Sequence, residues 1–249
     1  MAINTDKNSY TVIFAAVMVV IVGTVLAFLA SSLSDKIREN ERLEKQQNIL
    51  YAMGINENEG EGAVNFVPTD KVAGEFTKYI KEQLIIEGDK ITKDDQAYLI
   101  DLKKQATAAK NGETRKLPLF VGDKDGSTFY IIPMRGKGLW DAIWGFVALD
   151  ANMIVQGVYF DHAGETPGLG ANIKQRYFMD DFAGESILSN SRYAGIAVAK
   201  GNNDPLNKIK DDNEVDALAG ATITGDGVSA MIRESVNLYK DYLETIRVK

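Results

Sequence analysis

The stretch Leu119-Phe120-Val121-Gly122-Asp123-Lys124-Asp125-Gly126-Ser127-Thr128-Phe129-Tyr130-Ile131-Ile132 decides the fold class. Two apolar runs, rich in aromatic and β-branched residues, flank a turn of Gly and Asp, and this pattern is typical of a β-hairpin. Two more apolar runs follow at residues 143–149 and 153–160, with a turn at 150–152 between them. Strands joined by such short turns pair antiparallel. The sequence therefore predicts a mainly antiparallel sheet.

Helical patterns flank this strand-rich part. Thr69 or Asp70 can cap a helix with an apolar face made by Val72, Phe76, Tyr79, Ile80 and Leu84. A short helix is predicted through residues 175–178. Thr224 or Asp226 can cap a final helix with apolar positions at Val228, Met231, Ile232, Val236, Tyr239, Leu243 and Ile246. We therefore predict an α+β fold in which one globular domain, residues 57–249, has helices flanking the sheet. Residues 88–116 are predicted to be an elaboration at the domain edge, and residues 187–198 to contain another strand.

The N-terminal part has the pattern of a membrane anchor. Residues 10–30 contain no charge, and about 20 apolar residues form a helix of roughly 30 Å, the thickness of a bilayer core. A cleaved signal peptide has a shorter apolar region and an Ala-x-Ala-like site, which Ala27-Phe28-Leu29-Ala30 is not. We predict a tail over residues 1–9, a single transmembrane helix over 10–33 and a helical stalk over 34–56. A solvated charged linker is the alternative for the stalk.

The charges near this span favour a cytoplasmic position for the large domain. Lys7 alone precedes the span, whereas Lys36, Arg38, Arg42 and Lys45 follow it. The positive-inside rule counts these basic residues, and the interleaved acidic residues contribute little to it.

Composition excludes several classes of function. Lys and Arg number 28 against 35 Asp and Glu, a net charge of −7, which argues against nucleic acid as a partner. Without Cys the chain has no disulfide, no thiolate metal site and no iron–sulfur cluster of its own. A single His, His162, argues against His-based zinc sites and triads. Asp123 and Asp125 imitate the opening of a calcium loop, but Met134 stands at the position of its closing Glu. We predict neither a metal site nor a catalytic residue.

The stretch Asp216-Ala217-Leu218-Ala219-Gly220-Ala221-Thr222-Ile223-Thr224-Gly225 is the main candidate for chemistry. Its small residues leave the Thr222 hydroxyl accessible to a bulky phosphorylated group. The final helix begins nearby, and a helix N-terminus attracts phosphate through its unpaired N–H groups and its dipole. An ordinary strand-to-helix turn is the alternative interpretation.

Two glycine-rich loops are further candidates. The first is Gly136-Lys137-Gly138-Leu139-Trp140, which offers a charge and a large ring at a strand end, although Trp140 could equally be a core residue. The second is Glu165-Thr166-Pro167-Gly168-Leu169-Gly170, whose glycines and proline fix an irregular backbone. It either shapes a ligand site or is simply a tight loop.

These stretches together resemble a known family. Asp216, three residues and then Gly220-Ala221-Thr222 resembles the flavinylation motif of proteins that carry FMN on Thr through a phosphoester, with Ala219 where Ser often stands. Residues 165–170 resemble the second signature of FMN-binding subunits. With the membrane span and the loop at 136–140, most of the chain resembles the C subunits of the sodium-translocating NADH:quinone oxidoreductases. The G subunit of the Rnf complex, an ion-translocating ferredoxin:NAD oxidoreductase, is the nearest alternative.

The resemblance implies an electron-carrying subunit that is not catalytic alone and works with other subunits of a sodium-transporting NADH:ubiquinone reductase. It implies a bacterial inner-membrane protein with a periplasmic large domain, against the charge pattern. A flavin transferase would recognise Asp216 and attach FMN to Thr222, while Thr224 caps the helix. The implied cofactor contacts are Ala219, Gly220, Ala221, Thr224, Lys137, Gly138, Leu139, Trp140, Glu165, Thr166, Gly168, Leu169 and Gly170. A non-redox tethered scaffold subunit is the alternative from another class.

Overall fold

A computed structural model describes residues 8–60, 62–201, 204 and 207–248. The chain divides into two compact units, Met1–Arg42 and Leu43–Lys249. Helix α1 extends over Asn8–Ala52, so its last residues belong to the second unit. Of the tail predicted over residues 1–9, residues 1–7 lie outside the described part of the chain.

The first unit contains the apolar part of α1. An 18-residue window of this helix has the length and composition needed to cross a membrane, and none of the window is buried in the molecule. Elsewhere in the described residues no helix meets the same criterion. The apolar helix predicted over residues 10–33 is therefore present.

The second unit is built on a six-stranded antiparallel sheet. Its strands are β1 Ile80–Glu87, β2 Lys90–Lys93, β3 Leu117–Lys124, β4 Ser127–Lys137, β5 Ala142–Leu149 and β6 Val155–His162. They lie in the order β2-β1-β3-β4-β5-β6. Asp125 and Gly126 join β3 to β4 with φ of +55° and +78°, the left-handed conformation that a tight hairpin turn requires. The predicted antiparallel sheet and its first hairpin are confirmed.

Helices and short strand pairs complete the unit. The helices are α2 Val72–Tyr79, α3 Leu102–Lys110, α4 Arg176–Asp180, α5 Thr222–Leu238 and α6 Lys240–Ile246, with 3₁₀ turns at Ala97–Leu99 and Gly170–Lys174. An antiparallel pair joins β7 Leu188–Ser189 to β8 Arg192–Tyr193, and a parallel pair joins β9 Ala197–Val198 to β10 Glu214–Val215.

Both faces of the sheet are covered. The end of α1 and Met53, which follows it, pack on one face, where the Met53 side chain lies against Gly122 and the Tyr51 ring meets the Tyr159 ring edge-on. Helix α5 packs on the other face, with Met231 against Gly136 of β4. Side chains alternate between the faces of a strand, so the sheet lies between two apolar layers. The predicted arrangement of helices flanking the sheet is thereby confirmed.

Some sequence-based boundaries differ from the structure, and in one case sheet pairing overrides local helical spacing. The helix predicted to include Ile80 and Leu84 ends at Tyr79, since the chain continues as β1 against β3. The residue 88–116 elaboration contains β2 and α3. In place of one strand over residues 187–198 there are three two-residue strands. The final helix is interrupted at Tyr239, which separates α5 from α6.

Candidate functional site

Thr222 is the first residue of α5, and it is exposed. The N-cap residue, Ala221, has no side-chain hydrogen bond to the helix. Gly220 has φ +69°, a left-handed conformation that favours glycine. The chain therefore turns sharply before the helix, and the unpaired N–H groups of the first turn lie next to an accessible hydroxyl.

Thr224 has a different environment from Thr222, although only one residue separates them. Its side chain is 1% exposed, and its hydroxyl donates a 2.7 Å hydrogen bond to Glu165 Oε2. The prediction that Thr224 or Asp226 caps the helix was wrong, because α5 already begins at Thr222. Asp226 instead pairs with Lys200 at 3.4 Å.

Glu165 joins the three predicted segments. Its side chain is 4% exposed, and while Oε2 accepts from Thr224, Oε1 accepts a 3.0 Å hydrogen bond from the Trp140 backbone N–H. Gly170 allows this close approach, since a Cβ there would lie 2.5 Å from both Glu165 Oε2 and Thr224 Oγ1. A Cβ on Gly138 would likewise collide with Glu165 Oε1. Both oxygens are thus used within the protein.

The Glu165 carboxylate is held in its ionised form. Burial raises the pKa of this group, but hydrogen bonds from the Thr224 hydroxyl and from the backbone N–H groups of Trp140 and Asp141 outweigh burial, so that the pKa lies below its usual range. Hydrogen bonds to a charged group are stronger than those between neutral groups. The ionised Glu165 side chain therefore links the loop before β5, the loop after β6 and the first turn of α5 through its hydrogen bonds.

The loop between β4 and β5 consists of residues 138–141, since Gly136 and Lys137 belong to β4. The Gly138 N–H donates to the Asp141 carbonyl oxygen at 2.8 Å, which closes the loop. The Trp140 ring is 67% exposed, so Trp140 is a surface residue rather than a core residue. Its Nε1–H donates to Thr166 Oγ1 at 3.1 Å, which links this loop to the next one.

The loop after β6 is a tight, hydrogen-bonded turn. The carbonyl oxygen of Thr166 accepts from the backbone N–H groups of Leu169 and Ala171, each at 3.1 Å, and Gly168 has φ +77°. His162 is the last residue of β6, and its Nδ1 accepts from the Glu165 N–H at 3.2 Å. Leu169 contacts the segment before Thr222, because a Cβ on Gly220 would lie 2.8 Å from Leu169 Cδ2.

Four large apolar side chains remain exposed on these segments, and we call them the apolar rim. They are Leu139, Trp140, Leu169 and Ile223, exposed by 43%, 67%, 42% and 58%. The hydrogen bond from Trp140 Nε1–H to Thr166 Oγ1 and the contact of the Leu169 side chain with Gly220 join the three segments into one assembly. Exposed apolar groups around small residues and a hydroxyl indicate a place where a flat apolar ligand can lie.

Lys137 and Asp216 stand near the beginnings of two of the predicted segments. Lys137 is exposed at the end of β4, and it lines a groove between α3, β4 and α5. Asp216 is half-buried and follows β10, and burial and the nearby Asp204 both raise the pKa of its carboxyl group. Its segment is fixed to the rest of the unit by Asn213, whose Nδ2 donates to the Leu188 carbonyl oxygen at 3.1 Å.

Sequence reasoning missed Ile223 and the partner of Glu165. The exposure of Ile223 can be predicted if the helix begins at Thr222. In that helix the buried side is formed, at three- and four-residue spacing, by Thr224, Val228, Met231 and Ser235. Ile223 falls outside that stripe. The pairing of Glu165 with Thr224 joins residues 59 positions apart and has no local signal.

Comparison with known proteins identifies the class. Residues 138–237, which include the loops at 138–141 and 165–170 and the stretch at 216–225, match the family model of the FMN-binding domain. The C subunit of the Na(+)-translocating NADH-quinone reductase of Vibrio anguillarum is 28% identical over 244 residues, covering 92% of this chain and 90% of the relative. The crystal structure of the corresponding C subunit from Parabacteroides distasonis aligns with a TM-score of 0.71 at 30% identity, covering 85% of this chain and 96% of that one. NqrC from Shewanella oneidensis aligns with a TM-score of 0.64 at 25% identity, covering 83% and 99%.

The sheet, the glycine-rich loops and the exposed Thr at a helix N-terminus thus define an FMN-binding domain that follows an apolar N-terminal helix. The chain belongs to the family of the C subunits of the Na(+)-translocating NADH-quinone reductases.

The residues present fit FMN on structural grounds. The N-terminus of the 17-residue helix α5 can accept a phosphate. Ala219 and Gly220 are exposed and carry little side-chain bulk beside it. The apolar rim offers a surface for an aromatic ring system.

Proposed function

We propose that this chain is an electron-carrying subunit of a sodium-translocating NADH:quinone reductase and that it holds FMN covalently on Thr222. The observation that carries the covalent assignment is the contrast between two neighbouring hydroxyls. Thr222 is exposed at the first position of α5, whereas Thr224 is buried and donates to Glu165. A transferase can reach the first hydroxyl only.

Attachment is a phosphoryl transfer in which the Thr222 hydroxyl oxygen attacks the FMN-side phosphorus of FAD. The new bond is the phosphoester, the bond that breaks is in the pyrophosphate, AMP leaves, and the hydroxyl proton passes to solvent or to the transferase. Asp216, on the same segment and partly exposed, is proposed to be recognised by that transferase. The N-terminus of α5 stabilises the phosphate charge through its N–H groups and dipole.

Bound FMN supplies one-electron chemistry. The apolar rim, together with Gly138, Thr166, Gly168 and Gly170, is proposed to orient the ring system and to exclude water from one side of it. We do not assign Glu165 and Thr224 to direct contact with FMN, because their side chains already hydrogen-bond to each other. They hold the two loops at a fixed distance from Thr222. Lys137 is proposed to lie at the edge of this site.

Mass spectrometry tests the attachment. After co-expression with a flavin transferase, the peptide containing Thr222 should gain the mass of FMN less water, and the denatured protein should fluoresce in a gel. Thr222→Ala should lose both signals, whereas Thr224→Ser should keep them, since Ser retains the hydroxyl that donates to Glu165. A flavin on any residue other than Thr222 would refute the assignment.

We further propose that the large domain lies on the periplasmic side, where a flavin transferase acts in bacteria. The basic residues after the span favour the opposite orientation. The chain has no Cys, so Thr77→Cys on the exposed side of α2 creates one labelling site. Labelling by a membrane-impermeant maleimide in intact spheroplasts supports the periplasmic position. Labelling only after lysis contradicts it.

A further inference from the structure

A groove of about 440 Å³ lies between α3, the end of β4 and the second half of α5, on a part of the domain that includes neither Thr222 nor the apolar rim. Its walls carry one carboxylate, Glu234, and five basic side chains. The five are Lys103, Lys110, Arg115, Arg135 and Lys137.

These basic groups are concentrated on a chain whose net charge is −7. Across residues 8–60, 62–201, 204 and 207–248, the charged group of each of the five forms neither an ion pair nor a hydrogen bond with another residue. Some basic residues elsewhere in the unit have partners, such as Lys174 with Asp161 at 3.7 Å and Lys210 with Glu185 at 3.6 Å. Others, such as Lys90 and Lys104, have unpaired charged groups among the described residues, but they do not line the groove. Like charges placed close together repel one another. A concentration of unpaired cations on an acidic protein therefore indicates a ligand that brings negative charge.

The spacing of the cations tells which kind of anion fits. Lys103 and Lys110 are seven residues apart on α3, which corresponds to about 10 Å along the helix. A single phosphate cannot contact both ends of such a row, because an ion pair requires the two groups to be within about 4 Å of each other. A chain that carries several carboxylates can.

The floor of the groove is apolar. Leu117 and Pro133 line it, and so do the Tyr239 ring and Leu238, which is 44% exposed. All five cations are exposed or half-buried, so their attraction acts over a distance through solvent. An apolar floor with a charged, solvated margin is the usual anatomy of a protein interface, and the charges mainly raise the association rate.

We propose that this groove binds an acidic segment of another protein, in which several Asp or Glu side chains meet the five cations and an apolar side chain contacts Leu238. The inference goes beyond the proposed function, since neither FMN nor Thr222 takes part in it, and of the five cations only Lys137 is also assigned to the edge of the FMN site. The partner is identified by its chemistry alone: a stretch of Asp or Glu residues with an apolar residue among them.

A binding measurement on the full-length chain in detergent tests the charge pattern. The probe is a short fluorescein-labelled peptide of Glu residues with a central Leu, followed by anisotropy. Lys103→Glu with Lys110→Glu should weaken binding about tenfold, the sum of several surface charge contacts of up to about 1 kcal/mol each. The matched control is Lys104→Glu with Lys90→Glu, which changes the net charge equally at exposed positions outside the groove. It should change binding by less than about twofold. Equal losses in both pairs, or no binding by the unmodified chain, would overturn the proposal.

Cross-linking identifies the occupant in the assembled complex. Thr107→Cys places a photoreactive label in the groove and keeps all five cations. Thr77→Cys on α2 is the matched control, because both are exposed Thr residues whose hydroxyls donate to the carbonyl four residues earlier. The label at 107, and not the one at 77, should attach to an Asp- or Glu-rich peptide of a different protein. Attachment to lipid, nucleic acid or a second copy of this chain would overturn the proposal. Repeating the experiment with Thr222→Ala should give the same product, so the result does not depend on covalent FMN.

Discussion

At the scale of single residues, Glu165 links all three segments of the site, although we assign it no direct contact with FMN. In Glu165→Gln the amide keeps one acceptor oxygen, while its NH₂ group faces one of the two donors that Trp140 and Thr224 provide. Losing a buried, charge-assisted hydrogen bond costs about 2 kcal/mol. For a domain of this size we expect the melting temperature to fall by about 4–8 °C at neutral pH, which calorimetry can measure.

The pH dependence of this loss follows from the lowered pKa of Glu165. A carboxyl group whose pKa is lower in the folded than in the unfolded state stabilises the fold above the unfolded pKa, about 4.3, and loses that contribution as the pH falls through the folded pKa. The gap in stability between the original protein and Glu165→Gln should be largest near pH 7 and should close in acid. Glu113→Gln, at an exposed position, is the control and should show no gap at any pH. A stability difference that stays constant down to acidic pH would contradict an ionised Glu165 in the folded protein.

At the scale of secondary-structure elements, the start of α5 determines where the candidate hydroxyl lies. Gly220→Ala places a side chain at φ +69° and against Leu169. The left-handed conformation costs about 1–2 kcal/mol for a residue other than glycine, and the contact adds to this cost. Flavin attachment should fall with the loss of stability, which mass spectrometry and chemical denaturation measure together.

Substitution of a second glycine separates the backbone cost of a positive φ from the cost of the contact with Leu169. Gly112 also has a positive φ, +85°, but it has open space around its Cα, so Gly112→Ala reports the backbone cost alone. We expect Gly220→Ala to be more destabilising than Gly112→Ala, and Leu169→Ala to remove that difference when it is combined with Gly220→Ala. Equal destabilisation by the two glycine substitutions would show that Leu169 does not restrict this turn.

The same element shows what the sequence could and could not predict. The hairpin at residues 117–137 follows from local turn chemistry, because Asp125 and Gly126 suit a left-handed two-residue turn. The apolar positions of α5 could also be predicted from their spacing in the sequence. The first residue of α5 was not predicted correctly, since capping rules favour Thr224 or Asp226. In the structure Thr224 is buried against Glu165, and the helix begins two residues earlier, at Thr222. Contacts between distant segments decided that boundary, as they did when β1 replaced the end of the predicted helix at Ile80.

At the scale of the whole molecule, the second unit includes part of the segment that the sequence assigns to a stalk. Ile49, Leu50 and Met53 have no exposed surface, and they belong to the core that covers one face of the sheet. The predicted domain boundary at residue 57 therefore has a direct test in two truncated chains. Residues 43–249 should fold without the apolar helix and melt cooperatively.

Residues 57–249 should fail to fold. Burying a Leu, Ile or Met side chain contributes roughly 1.5–3 kcal/mol, so removing three of them takes away an amount comparable with the 5–15 kcal/mol by which a domain is stable. Within the full-length chain, Leu50→Ala should cost about 2–5 kcal/mol because it leaves a cavity, whereas Leu33→Ala, at an exposed position of the first unit, should leave the melting temperature unchanged. Circular dichroism of both truncated chains distinguishes the two boundaries. If residues 57–249 melt cooperatively at the temperature of the longer chain, the end of α1 is not part of the domain.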